Sequence, residues 1–208
     1  MVSGNYAYVA CGDYNYGHTY QEAGGFRVID VSNPSAPVEV AHLITAEVYD
    51  IAVNGSYAYV SPGVNATPYR VTGLWIYDIS DPTNPQKLTE MLVSTQRPLY
   101  VTGDRLYVGG CVFDISNPDA PIQFGCPLSG FVGNGFQFIE DTQYISYNQG
   151  LYINDFSQPL TPTLIGYTYP ISATGALDVE DGLAYITGGK DLGIVSVSDP
   201  AYPSQISY

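Results

Sequence analysis

Asp30, Asp78, Asp114 and Asp155 each stand two residues before a serine and close to a Pro-x-x-Pro turn. Carboxylates repeated at one position can do two things. Gathered at a common centre they would make a ring of oxygen ligands for a cation. Left in their own turns they would accept hydrogen bonds from backbone N–H groups, while proline fixes φ and stops the strand. The second role is expected. Each aspartate ends the third strand of a four-stranded unit, placing it too far from the others to share an ion, and the fifth copy carries Ser196 instead.

Other groups with chemical potential are scattered. Glu47, Asp50, Glu140, Asp178 and Glu180 fall on or beside the first strand of their units, where carboxylates lining a channel could bind a cation or act as acid and base on a sugar. His18 and His42 are the only histidines, no GxSxG elbow occurs, and no His/Cys spacing suits zinc. Gly109-Gly110 and Gly188-Gly189 are hairpin turns without a Walker or dinucleotide pattern. No catalytic residue is assigned. Two long insertions, 11–25 and 62–73, instead offer a raised patch after the second strands of the first two units. Asp13, Tyr14, Tyr16, His18, Tyr20 and Tyr69 are its candidate ligand or partner contacts, since tyrosine joins flat apolar area to a hydrogen-bonding tip. Asp13, Asn15 and Glu22 are oxygen donors of the kind Ca²⁺ takes, but they lack EF-hand spacing, so no metal site or cofactor is assigned. Asn54-Gly55-Ser56 and Asn65-Ala66-Thr67 are glycosylation sequons, with Asn65, in the longer loop, the better acceptor.

The composition narrows the partners. Six Lys+Arg face 20 Asp+Glu, for a net charge of -14. So few cations cannot neutralise a phosphate backbone or dock on an anionic membrane surface. Only 12% of the 208 residues are charged, which argues against a charge-rich disordered tail, and no apolar run is long enough to span a bilayer. Met1–Asn5 has neither the basic nor the apolar region of a signal peptide.

These candidates must be positioned by a repeat. Pro-x-x-Pro recurs at Pro34/Pro37, Pro82/Pro85, Pro118/Pro121, Pro159/Pro162 and Pro200/Pro203, which accounts for ten of the 15 prolines. Before each turn lies an apolar strand such as Val28-Ile29-Asp30-Val31, and before that an aromatic strand centred on Tyr8, Tyr59, Tyr107, Tyr144 or Tyr185. Asn54-Gly55 between alternating apolar runs is a strong hairpin signal. Units of about 40 residues with four strands each predict an all-β chain, a β-propeller of five blade units. The units run approximately 2–45, 46–94, 95–130, 131–169 and 170–208, in a single domain over 1–208.

The run Val28-Ile29-Asp30-Val31-Ser32-Asn33-Pro34-Ser35-Ala36-Pro37, with its four echoes, resembles the LVIVD repeat. The resemblance covers essentially the whole chain. It implies a β-propeller, mostly of exported bacterial or archaeal proteins, and carries no agreed catalytic set. Aligning the units leaves one blade without its inner strand, because Val2-Ser3-Gly4-Asn5-Tyr6-Ala7-Tyr8-Val9 matches Val53–Val60 and so enters at the end of that strand. Three arrangements would accommodate this: a fragment of a longer propeller, a ring tolerating one three-stranded blade, or a gap filled by a neighbouring subunit's strand.

Cys111 and Cys126 lie equidistant from the turn at Pro118-Asp119, which opposes them across an antiparallel pair and predicts a disulfide, leaving Cys11 odd. A disulfide, sequons and low lysine content point to an extracellular or cell-surface setting. The expected function is that of a non-catalytic binding or structural module. It would associate with itself through strand complementation, or with another surface protein, without binding nucleic acid or inserting into a membrane. The alternatives are a carbohydrate-binding, lectin-like propeller and a glycan-acting or metal-dependent enzyme using the first-strand carboxylates.

Overall fold

A computed structural model of the chain describes residues 1–11, 24–43, 47–66, 69–93, 99–126, 135–148, 150–169, 175–188 and 191–207. These residues form β-strands and no helix. Five four-stranded antiparallel sheets follow one another along the chain, each a simple meander. The first is β1 (Val2–Ser3), β2 (Tyr6–Cys11), β3 (Gly25–Asp30) and β4 (Val38–Leu43). The second is β5 (Glu47–Asn54), β6 (Tyr57–Ala66), β7 (Tyr69–Asp78) and β8 (Gln86–Leu92). The third is β9 (Leu99–Thr102), β10 (Arg105–Val108), β11 (Cys111–Asp114) and β12 (Ile122–Gly125). The fourth is β13 (Gly135–Ile139), β14 (Thr142–Tyr147), β15 (Gly150–Asp155) and β16 (Thr163–Thr168). The fifth is β17 (Leu177–Glu180), β18 (Leu183–Gly188), β19 (Asp191–Ser196) and β20 (Ser204–Ser207). These are five propeller blades.

The repeated turn is built as its residue types require. Asp30, Asp78, Asp114 and Asp155 each accept the backbone N–H of the serine two residues on, at 2.7–2.8 Å. An i→i+3 turn follows in every blade, with Ala36, Asn84, Ala120, Thr161 and Tyr202 donating to Asn33, Asp81, Asn117, Gln158 and Asp199. The residue one after the third strand then donates to the hairpin joining the first two strands: Val31 to Asn5, Ile79 to Ser56, Ile115 to Asp104, Phe156 to Asp141 and Val197 to Gly182. Both turns at one end of each blade are thereby tied together. The first hairpins need a left-handed residue, which Gly55 and Gly103 supply, while Glu140 takes that conformation (φ 52) without glycine's freedom.

The outermost pair carries a second repeated feature. Between Val28/Ile29, Ile76/Tyr77, Ile153/Asn154 and Ile194/Val195 the pairing slips by one, leaving Val40, Leu88, Ile165 and Ile206 as extra residues on the fourth strand. These are β-bulges, which bend an edge strand and sharpen its twist. Beyond the bulge, Arg27 faces His42, Trp75 faces Glu90 and Tyr152 faces Tyr167. Cys111 and Cys126 stand at the same places relative to Asp114, and a disulfide joins them with Cα atoms 3.8 Å apart.

Two sequence expectations are modified. The inner strand of the first blade is the two-residue β1, paired Val2 to Ala7 and Ser3 to Tyr6. Met1 continues it, its amino group donating to the Tyr8 carbonyl at 2.9 Å and its own carbonyl accepting the Tyr8 N–H. The insertion expected as a long loop at 62–73 is instead an extended hairpin, with Gly63, Val64, Asn65 and Ala66 paired to Thr72, Val71, Arg70 and Tyr69. Val64, Val71, Thr72 and Tyr69 are strand formers, so pairing satisfies backbone groups that a loop would leave to solvent.

The chain divides into two compact units, Met1–Gly109 with Phe113–Gln123, and Gly110–Val112 with Phe124–Tyr208. In the first, Tyr8, Phe26 and Val28 pack with Val48, Ile51, Val60 and Tyr77 between the first two sheets. Burial pushes the phenols of Tyr59 and Tyr77 up to about 12, so both remain neutral. In the second, Tyr144, Leu151 and Ile153 pack with Val179, Ala184, Ile186 and Val195. Alternate residues of each third strand, such as Leu151 and Ile153, fill the space between sheets.

The Cys111–Cys126 bridge closes a 15-residue separation, for which chain entropy gives about 3 kcal/mol, or roughly 6–12 °C of melting temperature. Cys111→Ser should lower thermal stability by that amount, and the intact mass of the unreduced wild type should be two hydrogens below its reduced mass. The turn aspartates predict an acid limb. The Ser32 hydroxyl and then its amide hold Asp30 below the ordinary carboxylate range, and for Asp78, Asp114 and Asp155 the serine amide leads. Because the folded-state values are depressed, the stabilisation is present above the unfolded value, about 3.9, and is lost as pH falls through the folded values. The melting temperature should drop over that range. Replacing all four by asparagine, which keeps an acceptor oxygen without the charge, should flatten the drop in pH-resolved melting curves.

Candidate functional site

The first-strand carboxylates are occupied in different ways. Asp50 accepts the N–H of Ile51 at 2.9 Å through Oδ1 and that of Leu99 at 2.8 Å through Oδ2, so it ties β5 to β9. Gln137 does the corresponding work in the second unit. Its amide nitrogen donates to the Val179 carbonyl at 2.9 Å and its oxygen accepts the Val179 N–H at 2.7 Å, making the side chain a surrogate strand between β13 and β17. Glu140 lies exposed in a hairpin, and Asp178 and Glu180 project from the exposed side of β17 around buried Val179. The Glu47 side chain lies outside the described residues. Among the described residues no three His, Cys, Asp or Glu side chains gather as a metal site.

The first insertion, with Asp13, Tyr14, Tyr16, His18 and Tyr20, lies outside the described residues. Tyr69 opens β7 opposite Ala66, and Asn65 lies opposite Arg70 near the tip of the same hairpin. Asn54 is exposed, but its amide donates to the Gly103 carbonyl at 2.9 Å, joining the first hairpins of two neighbouring sheets. His42 sits on β4, with Nε2 donating to the Gly24 carbonyl at 3.3 Å. Cys11 ends β2 outside any disulfide.

A cluster that sequence reasoning passed over lies on the fourth sheet. Tyr152 on β15 is opposed by Tyr167 on β16, their rings stacked at 21° with centroids 6.4 Å apart. Tyr169, just beyond β16, stands edge-on to both, at 88° to Tyr152 and 71° to Tyr167. Tyr147, ending β14, adds a fourth ring 6.4 Å from Tyr152. The outer two are open to solvent, Tyr167 at 57% and Tyr169 at 60% exposure. The backbone beneath is glycine for a steric reason. A Cβ at Gly150 would lie 2.9 Å from Tyr152 Cε2 and 3.1 Å from Tyr169 Cε1. The Tyr152 and Tyr169 hydroxyls are 3.4 Å apart. Tyr169's hydroxyl, and then burial, raise the Tyr152 phenol pKa, so Tyr152 keeps its proton at neutral pH. The legible signal was alternation: Tyr167 and Tyr169 share a face, across from the position of Tyr152.

Gln137→Ala should leave the Val179 N–H and carbonyl without their partners, at about 1–3 kcal/mol. Hydrogen exchange at the Val179 amide should quicken accordingly, with β19 amides much less affected.

Comparison with known proteins fits this architecture. A functionally unknown protein from Desulfotomaculum acetoxidans DSM 771 superposes with a TM-score of 0.63 at 12% identity, covering 88% of this chain and 62% of its own. The present chain thus spans less than two thirds of that protein. The computationally designed Ika4 protein gives 0.52 at 11% identity over 73% of this chain and 92% of its own. KlHsv2 with loop 6CD replaced by a Gly-Ser linker gives 0.51 at 12% identity, over 82% and 55%. Likeness at such identities concerns the fold alone. No curated protein matches the chain. The model of the LVIVD repeat matches residues 1–45, 47–91 and 173–207, more than half of the sequence. With five repeated turns and five four-stranded sheets in place, the chain belongs to the LVIVD-repeat family of β-propellers.

Proposed function

We propose that this propeller is a non-catalytic binding and structural module of the extracellular or cell-surface space, and that its copies associate by strand addition. One observation carries the reading. The edge strands β12, β16 and β20 hold no charged residue and expose Ile122, Phe124, Leu164 and Ile206. Edge strands of solitary proteins are usually guarded by charge or proline, and unguarded ones template pairing with another chain. The bulges at Ile165 and Ile206 interrupt two of these edges, so each added strand finds a short register and association is weak and concentration-dependent. The Cys111–Cys126 bridge favours an oxidising compartment. The commitment of Asp50 to two backbone amides favours a structural rather than a catalytic use of that carboxylate.

A second reading, a carbohydrate-binding propeller, is favoured by the exposed tyrosines of the fourth sheet. Under the first reading, light scattering across a concentration series should record growth beyond the monomer. Leu164→Lys with Ile206→Lys, both at exposed positions (54% and 58%), should return the mass to one chain without lowering the melting temperature. A strict monomer at every concentration would overturn self-association.

A further inference from the structure

We infer that Tyr167 and Tyr169, backed by Tyr152, form a stacking platform for a neutral glycan. The inference rests on the carbohydrate-binding reading above and names its site and ligand class. The two exposed rings meet at 71° with centroids 5.9 Å apart, so they make a corner with a flat wall and a flat floor. A pyranose presents a C–H face to one such wall and hydroxyls at its rim to the other's phenol. Preorganisation is built in. Tyr152 stacks on Tyr167 and meets Tyr169 edge-on, and glycine at 150 leaves the space that these rings occupy. Rings held before binding lose little conformational freedom when a ligand arrives.

Charge selects among ligands. No Lys or Arg occurs between Arg105 and Lys190, and the chain carries -14. Uronates, sulfated sugars and phosphates would therefore meet net repulsion, and the fourth blade unit itself (131–169) supplies no cation to hold them. A quaternary ammonium needs an open cage between rings. Here the rings are already in mutual contact, with centroids 5.9–6.4 Å apart, leaving a surface and no slot. A neutral sugar face suits what remains.

The test is calorimetric titration of the full chain with neutral gluco-, manno- and xylo-oligosaccharides, with an oligouronate alongside. The wild type should bind at least one neutral series and not the oligouronate. Tyr167→Ala and Tyr169→Ala should each weaken binding about tenfold with unchanged melting temperature. Gly150→Ala should also weaken it, by displacing the Tyr152 and Tyr169 rings. If the wild type binds and only the combined Tyr14→Ala, Tyr16→Ala, Tyr20→Ala variant loses binding, the platform is wrong while the carbohydrate reading stands. If the wild type binds no neutral oligosaccharide, both fall. If Tyr169→Ala leaves glycan binding intact and instead changes the native mass, the patch is a protein contact and the inference is overturned.

Discussion

Everything in this fold hangs on a tie between two turns. The third strand of each blade ends beside the hairpin that joins the first two, and the next backbone N–H donates to that hairpin's carbonyl in all five blades. An aspartate in four of the five then holds the chain in the reversal that starts the fourth strand. A four-stranded meander has three connections, and pinning two of them at one end leaves little freedom in register. The aspartates are therefore consumed by architecture. Their lowered pKa values arise from serine amides and hydroxyls inside single turns, not from a shared cation.

With one end of the blade pinned, variation concentrates on the far side of the bulge. There the same cross-strand position is filled in different chemical ways. Arg27 lies opposite His42 and reaches Glu39 at 2.6 Å. Trp75 lies opposite Glu90 and beneath Lys87, whose ammonium is 4.7 Å from the ring centre. Cys111 and Cys126 are covalently joined, and Tyr152 and Tyr167 stack. The shortest fourth strands are the four-residue β12 and β20, and β12 is the one whose blade carries the disulfide. A covalent link suits a pair too short to be held by many ladder hydrogen bonds. In the fourth blade the same position has become an exposed aromatic surface, which costs the core nothing because the opposite face of β15 supplies Leu151 and Ile153.

Neighbouring first strands meet with their backbone groups pointing along the strands' own sheets, so a side chain must bridge them. Asp50 and Gln137 do this from comparable strands with different chemistry, Asp50 by accepting one N–H of the adjacent strand and Gln137 by donating one hydrogen bond and accepting another. Asp50, a candidate acid or base by residue type, is thus a latch by geometry, whereas Asp178 and Glu180 project from the exposed side of β17. The distinction lies in whether a backbone N–H of the adjacent strand is within reach.

The repeat, the five blade units, the turn chemistry and the disulfide were all determined by local pattern, whereas β1, the inner strand of the first blade, was not. Proline spacing, Asn54-Gly55, alternation and the equal distances of Cys111 and Cys126 from one turn act over a few residues, where backbone sterics leave few choices. The hairpin over 63–72 reads as a long inserted loop in the sequence, because its cross-strand partners become visible only once paired. The tyrosine platform, the Asp50 and Gln137 latches and the exposed edges were decided by tertiary structure. Twenty tyrosines look alike in a sequence. Packing buries Tyr8, Tyr59 and Tyr144 and leaves Tyr167 and Tyr169 in water, because burial depends on which neighbouring sheet covers a face, and one chain's alternation does not carry that information.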